Sequence, residues 1–468
     1  MKFVPKRTAL FNLPVDVICY LALRYLDYPS AINLFEVIIL KNFTLQKALA
    51  ALENRNLDIT NYVSSFYSKE RSQVYKELTK TRKIVAGDNS SFYFCPRKGW
   101  HVWGHDVNTF SKPISNSTPQ KLVVSPKTAN GYPYQWWSKS KLKIIDLVNS
   151  NSRVFFLTAE GKVYRNGKDF ALTSNTVFDF ELIKELADKK VIKIALGYEH
   201  VLVLTDEGQV YSWGHNLFGQ LGLGDDSYRS TPQLIQAFNK IKITDIFAGE
   251  HVSFCLSAEG KAYAFGINQS GQLGLGMEIG KQLNPLLIPT LQNEKIVSIA
   301  CRIFHTLFLN ATGEVYSSGT SFGGALGLGA ITCSVNTPTL ITSLATQKIK
   351  KIATGSNYSM CLSEQGEVYA FGSNTTSNQL GLSNEQMKGD NLCTIPLPLL
   401  LPENDTITEV AAGEHHTLCL TKTGKIYSFG LNSYGQLGHS HTDWKLPQKV
   451  SIPTYSTANS SLPSQSQP

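Results

Sequence analysis

The chain has 468 residues, 42% hydrophobic and 10% aromatic with only 17% charged, which describes a folded, β-rich protein large enough for more than one domain. Its formal charge of +8 is uneven: residues 1–82 carry 12 Lys and Arg against 7 Asp and Glu, a balance of +5 that leaves +3 for the rest. That remainder is too dilute for a nucleic-acid-binding stripe, and no apolar run is long enough to span a membrane.

Residues 1–82 follow a helical rhythm. The apolar stretch Leu13 to Leu23 has the outline of a secretory leader, but Pro14 and Asp16 interrupt it and no small-residue cleavage site follows. Leu13, Val17 and Leu21, with Ile18 and Leu26, fall at helical spacing, and Asn12 followed by Leu13-Pro14 suits a helix start. After a turn at Tyr28-Pro29-Ser30, a second helix carries Ile32, Leu34, Val37 and Ile38 toward Phe43. Further helix ends in the charged run Lys69 to Arg82, a solvated face.

From Lys83 the rhythm changes to a repeat. The turn glycines Gly208, Gly260, Gly313, Gly366 and Gly424 stand 52, 53, 53 and 58 residues apart. Before each comes an apolar run, such as Val201 to Leu204. After each, at three-residue intervals, come a tyrosine (Tyr211, Tyr263, Tyr316, Tyr369, Tyr427) and a second glycine (Gly214, Gly266, Gly319, Gly372, Gly430). Two short apolar runs joined by a glycine turn predict a β-hairpin. The GQLGLG tail after it is too glycine-rich for a strand interior and predicts a loop. A recurring antiparallel unit of this length predicts a solenoid or a propeller.

Two worn units precede the five regular ones, giving seven. The first runs from Ile84-Val85-Ala86-Gly87 to an outer strand at Ser117-Thr118-Pro119-Gln120, which recurs as Ser230-Thr231-Pro232-Gln233. The second runs from Leu142 through Gly161 and Tyr164 to Gly167; it lacks the glycine-rich tail and has a helical turn within Glu181 to Lys190 in its place. After Gly438 one Pro-led strand, Leu446 to Val450, has no following unit to receive it. It is expected to pair beside the strands of residues 83–104 and so close a ring. The tail from Thr454, rich in Ser, Pro and Gln, has too few apolar residues to fold.

The eight cysteines include no CxxC pair. Cys255, Cys361 and Cys419 each lie five residues before a turn glycine, where other units have Val203 and Phe308, and so are core residues on inward strand positions. That usage fits a reducing compartment, and a cytoplasmic protein without cofactor or metal is expected. GQLGLG lacks the Lys-Ser/Thr of a phosphate loop and recurs, so it is structural. No catalytic triad order or HExxH helix is present.

The segment LPVDVI…YLDYPSAINLFEVIILKNF, Leu13 to Phe43, resembles an F-box, the helical module that docks on the Skp-type adaptor of cullin ubiquitin ligases. The resemblance implies adaptor contacts at Leu13, Pro14, Asp16, Tyr25 and Leu26; a helical cap packed on the propeller is the alternative. The repeats, GxxH…LTxxGxVYxWGxNxxGQLGLG, resemble the regulator-of-chromosome-condensation repeat over roughly residues 83–453. They lack the Gly-Gly doublet of kelch units and the Trp-Asp of WD40 units. The expected architecture is therefore an all-β seven-bladed β-propeller over 83–453, a small N-terminal α-helical module over 1–82, and a disordered tail over 454–468.

One constellation is left for function. Eight residues before the turn glycine the resemblance implies histidine, met by His200, His305 and His416, with Val252 and Tyr358 as replacements and His251 one residue away. Glu199, Glu250 and Glu414 come just ahead, His415 adjoins His416, and in one unit Arg302 displaces the loop glycine. In a closed propeller these loops converge on one rim of the channel. The histidines either face a partner there or hydrogen-bond backbone and hold the loops; the acids and Arg302 are expected to be exposed, because buried unpaired charge is costly. The resemblance implies a protein partner and a monomer: in the family's founding branch, a Ran-like small GTPase whose nucleotide exchange the propeller promotes, with an added β-wedge. Steps of 52 and 53 residues leave no room for that wedge in the regular units, and the longest insertion lies near Asn384 to Asn391. The alternative partners are a ubiquitin-ligase adaptor and its target. In a bacterial source, either partner would mark an effector acting in a host's cytosol or nucleus.

Overall fold

The computed structural model describes residues 83–95, 99–104, 116–121, 125–126, 144–150, 153–166, 179–276, 280–329, 334–375, 377–388, 390–403, 405–439 and 446–451. The F-box-like segment with Leu13, Pro14, Asp16, Tyr25 and Leu26, and the tail from 454, lie outside them. Within the described residues the chain forms seven sheets, one per unit, as seven blades of a propeller. Blade 3 is typical: Val191–Leu196, His200–Thr205, Val210–Gly214 and Arg229–Leu234 pair in sequence order, all antiparallel. Blade 2 adds Ser125–Pro126, parallel to Asp179–Leu182.

The four strands differ in composition because they differ in surroundings. The second strand of blades 3 to 7 is buried at every position, since neighbouring blades cover both its faces, and it reads as a continuous apolar run such as HVLVLT. Cys255, Cys361 and Cys419 sit there, fully buried. The fourth strand is an outer edge, and it carries Pro232, Pro285, Pro338 and Pro396 where a missing N–H does least harm. A single 3-10 turn then leads into the next blade, at Lys184–Leu186, Gln236–Phe238, Pro289–Leu291 and Thr342–Leu344. Each turn buries one apolar side chain: Leu186, Phe238, Leu291 and Leu344. The helical turn expected within Glu181 to Lys190 is the first of this series, not a stand-in for the glycine-rich tail.

The ring does not close as the sequence suggests. Gln448–Lys449 pairs with Ile426–Gly430, Tyr427 opposite Lys449, and so completes blade 7 instead of joining blade 1. The reason is that every unit carries its own fourth strand. Blade 1 already has Asn116–Lys121 beside Gly99–Gly104, so it offers no vacancy. Closure is by side chains instead. Ile84, Tyr93 and Trp103 of blade 1 pack with Leu418, Leu420, Ile426 and Val450 of blade 7. The Trp103 indole also donates to the Gln436 carbonyl at 2.8 Å.

The first strands line the central channel, a cavity of about 290 Å³ walled by residues such as Ala195, Phe247, Ala300, Ala353 and Ala412. One equivalent position on these strands holds, from blade 1 to blade 7, Lys83, Asp146, Lys193, Asp245, Ser298, Lys351 and Glu409. Sign alternates around the ring. Lys83 lies 3.9 Å from Asp146, and Lys193–Asp245 and Lys351–Glu409 form ion pairs between blades 3 and 4 and between blades 6 and 7. A seven-membered ring cannot alternate throughout, and the odd position is the neutral Ser298. No two like charges are neighbours.

Candidate protein-docking face

The first-to-second strand turns and the glycine-rich loops between third and fourth strands emerge on the same face. The glycine-rich loops are there to join blades. Ser253 Oγ donates to the Gln220 carbonyl of the preceding blade at 2.7 Å, and Thr306 does so to Gln272 at 2.8 Å. Ser359 reaches Ala325 at 2.9 Å, Thr417 reaches Gln379 at 2.9 Å, and Ser91 of blade 1 reaches Gln436 of blade 7 at 2.8 Å. One clasp thus recurs at five junctions, the closing one included. The next glycine packs against an aromatic ring of the following blade: a Cβ on Gly222 would lie 2.8 Å from the Phe265 ring. The GQLG wording follows from that close approach and from its positive φ of 68°.

His200, His305 and His416 belong to the same clasp, not to a rim. They are exposed by no more than 1%, which overturns their placement against a partner. Their Nε2 atoms lie 2.8, 2.9 and 2.9 Å from the hydroxyls of Ser253, Ser359 and Ser91. Each serine proton already goes to a carbonyl, so the hydroxyl accepts and the imidazole donates from Nε2. Burial pushes these histidines down, to about 3 for His200, about 4 for His305 and about 3 for His416. In blade 6 Tyr358 does similar work, its hydroxyl donating to the His416 carbonyl at 2.6 Å.

Arg302 is also misplaced by the sequence. It is neither exposed nor unpaired: its guanidinium reaches across the channel mouth, from blade 5 to Asp88 of blade 1, with both side chains 18% exposed. Glu199, Glu250, His251, Glu414 and His415 do remain on the face, half-buried, around that pair. Burial raises the Glu250 carboxyl, opposed by Arg302 and assisted by Glu414 and Asp88, so these groups share one field. Burial lowers His251 and His415. They lie 3.9 and 3.8 Å from the carboxylates of Glu250 and Glu414, as neutral neighbours near pH 7.

What the sequence did not single out is apolar. Tyr198, Tyr228, Phe304, Phe322 and Tyr434, each at least 39% exposed, all sit on turns and loops of this face, as does Leu217, and they come from blades 3, 5 and 7. Among the described residues no exposed large aromatic lies on the opposite face. Tyr198 and Phe304 occupy the free positions of the GxxH turn, where the repeat imposes no residue type, and that freedom was the available signal. Asp88 was hidden in a worn unit. His251 is wrapped by the rings of Phe218, Tyr198 and His215 at 5.0, 6.2 and 6.3 Å.

Comparison with known proteins agrees with this architecture. The family model of the Regulator of chromosome condensation (RCC1) repeat matches residues 207–256, 259–309, 312–362, 365–420 and 423–461, more than half of the chain. The first four matches each straddle two blades, from the hairpin turn of one to the second strand of the next, and the fifth begins at the hairpin turn of blade 7. The chain is 33% identical to the ultraviolet-B receptor UVR8 of Arabidopsis thaliana over 256 residues, 55% of this chain and 56% of that protein. It is 32% identical to the human E3 ubiquitin-protein ligase HERC2 over 84% of this chain but only 8% of that protein. Among solved structures, Prp20p of Saccharomyces cerevisiae superposes with a TM-score of 0.62 at 20% identity, covering 81% of this chain and 89% of that one. Human WBSCR16 gives 0.60 at 21% identity, covering 72% and 85%. With seven blades, a clasp repeated at their junctions and five matched repeats, the chain belongs to the regulator of chromosome condensation repeat family.

Proposed function

We propose that this propeller is a protein-binding regulator that docks its partner on the face of the glycine-rich loops, and that the partner is a Ran-like small GTPase. The observation that carries the reading is the one-sided placement of Tyr198, Tyr228, Phe304, Phe322 and Tyr434 on the face that carries Glu199, Glu250 and Glu414. Aromatic anchors beside charge are the composition of a binding surface, and exposed aromatic groups gathered on one face mark it out from the other. Acidic loops suit a GTPase because they compete with nucleotide phosphates for its basic residues. A propeller that binds the nucleotide-free form more tightly than the loaded one shifts the population toward release without bond chemistry. The fold likeness to Prp20p, whose structure is described together with its binding to Gsp1p and histones, is consistent with such a partner.

Exchange itself is the finer claim. Among the described residues, blades 3 to 7 carry no added hairpin, and the insertion of blade 6 forms a single helical turn, Asn384–Met387, capped by Ser383. The test is release of a fluorescent nucleotide from a Ran-like GTPase, with wild type and with Glu199, Glu250 and Glu414 all changed to Ala. Acceleration by the wild type that the triple change reduces supports the reading. No acceleration removes the exchange claim, and no binding removes the GTPase.

A second reading is substrate receptor of a cullin-type ubiquitin ligase, favoured by the LPVDVI…YLD wording of residues 13–27. Capture of a Skp-type adaptor by the full chain, abolished by changing Leu13 and Pro14 to Ala, tests it. Failure of the wild type to capture any adaptor ends it.

A further inference from the structure

Seven blades share one turn position, three residues before the second strand begins. Five fill it with glycine: Gly87, Gly197, Gly249, Gly355 and Gly413. The fold wants none larger there, since a Cβ on Gly197 would fall 2.1 Å from the His200 ring and 2.5 Å from the Gly249 carbonyl. The exceptions are Ser150 in blade 2 and Arg302 in blade 5, and both reach the same carboxylate. Ser150 Oγ lies 3.5 Å from Asp88 Oδ2, and Arg302 pairs with Asp88 Oδ1. Arg302 has a local cost. Where the glycine turns close with an N–H to carbonyl distance of 2.8 to 2.9 Å, the Arg302 turn stands at 3.4 Å.

We infer that Arg302 is a positioning residue, a strut thrown across the channel mouth that fixes the docking face as one surface. Its backbone carbonyl accepts from Glu250 N–H at 2.9 Å, and the Glu250 carbonyl in turn accepts from Tyr198 N–H at 3.1 Å. Blades 5, 4 and 3 are therefore tied in series, and the guanidinium ties that series to blade 1. Blades 1 and 5 are not neighbours in the ring, so no clasp couples their turns; Arg302 and Asp88 do. Preorganised loops lose less freedom on binding, which is where such a strut would act on affinity. The inference rests on the docking reading above, but the strut can be tested without a partner.

Arg302→Gly restores the glycine of the repeat and should fold, closing its turn to the length of the others. In the full-length variant, hydrogen exchange at the bonded turn amides of Gly87, Tyr198 and Glu250 is expected to quicken about tenfold or more while exchange in the second strands holds. Arg302→Lys, which keeps the charge without the fork, should fall between the two. Partner affinity should drop about tenfold in Arg302→Gly although Glu250 and Glu414 are intact. Unchanged turn exchange in Arg302→Gly overturns the strut. Faster exchange with unchanged partner affinity overturns the positioning role, and a wild type that binds no GTPase defeats the docking reading alone.

Discussion

Mild acid should open this propeller, and the histidine clasps set the amount. At three junctions, blade 3 to 4, 5 to 6 and 7 to 1, a buried imidazole donates from Nε2 to a serine that has spent its proton on a carbonyl. The Nδ1 atoms of His200 and His416 have no partner, and each ring lies against the glycine of its own turn, so a second proton would be buried without an acceptor. Folded-state values of about 3, about 4 and about 3 lie below the ordinary 6.5. A depressed value means that the unfolded chain binds the proton first. The contribution to stability is complete above pH 6.5 and is lost as pH falls from there toward 3 to 4. At pH 5 each histidine costs about 2 kcal/mol, and three cost about 6 kcal/mol, comparable with the whole stability of many domains. The raised Glu250 acts in the opposite sense, but it is a single, partly exposed group set against three buried histidines. The assay is urea unfolding followed by tryptophan fluorescence at pH 7.5, 6 and 5. A companion variant with His200, His305 and His416 all changed to Gln keeps an amide donor that does not titrate. Wild type should lose most of its stability by pH 5, and the variant, weaker at pH 7.5, should change far less. Equal acid losses in the two proteins, or none in the wild type, would refute the reasoning.

Three more outcomes are expected. Ser91→Ala removes the hydroxyl that both His416 and the Gln436 carbonyl use at the closing junction, and should cost about 1–3 kcal/mol in the same unfolding assay. Ser298→Lys and Ser298→Asp should both lower the melting midpoint, by an amount equivalent to about 1 kcal/mol at most, while Ser298→Ala leaves it unchanged. Either sign meets one like and one opposite neighbour, and the opposite one is already paired, Asp245 with Lys193 or Lys351 with Glu409, so opposite effects of Lys and Asp would contradict the alternating ring. Val450→Ala should destabilise by about 1–3 kcal/mol, because Val450 is 4% exposed in the cluster that joins blade 7 to blade 1.

The sequence by itself determined the blade. Spacing of Gly208, Gly260, Gly313, Gly366 and Gly424, the buried runs before them and the prolines of the outer strands each follow from one residue's local demand, and local demands are written in sequence order. The seven-fold count and the core role of Cys255, Cys361 and Cys419 were legible for the same reason. What the junctions do was not. Whether His200 faces solvent or a neighbouring serine depends on Ser253, some fifty residues on, and nothing in the GxxH wording distinguishes the two. The strand Gln448–Lys449 pairs within its own blade because blade 1 was already complete, which is a property of the ring and not of the strand. The Arg302–Asp88 pair spans more than two hundred residues of chain, and no periodicity announces it. Tyr198, Phe304 and Phe322 became a candidate surface only when their loops were brought to one face. Periodicity fixes what each unit buries; only closing the ring decides which of the remaining polar and aromatic groups meet each other and which are left to meet a partner.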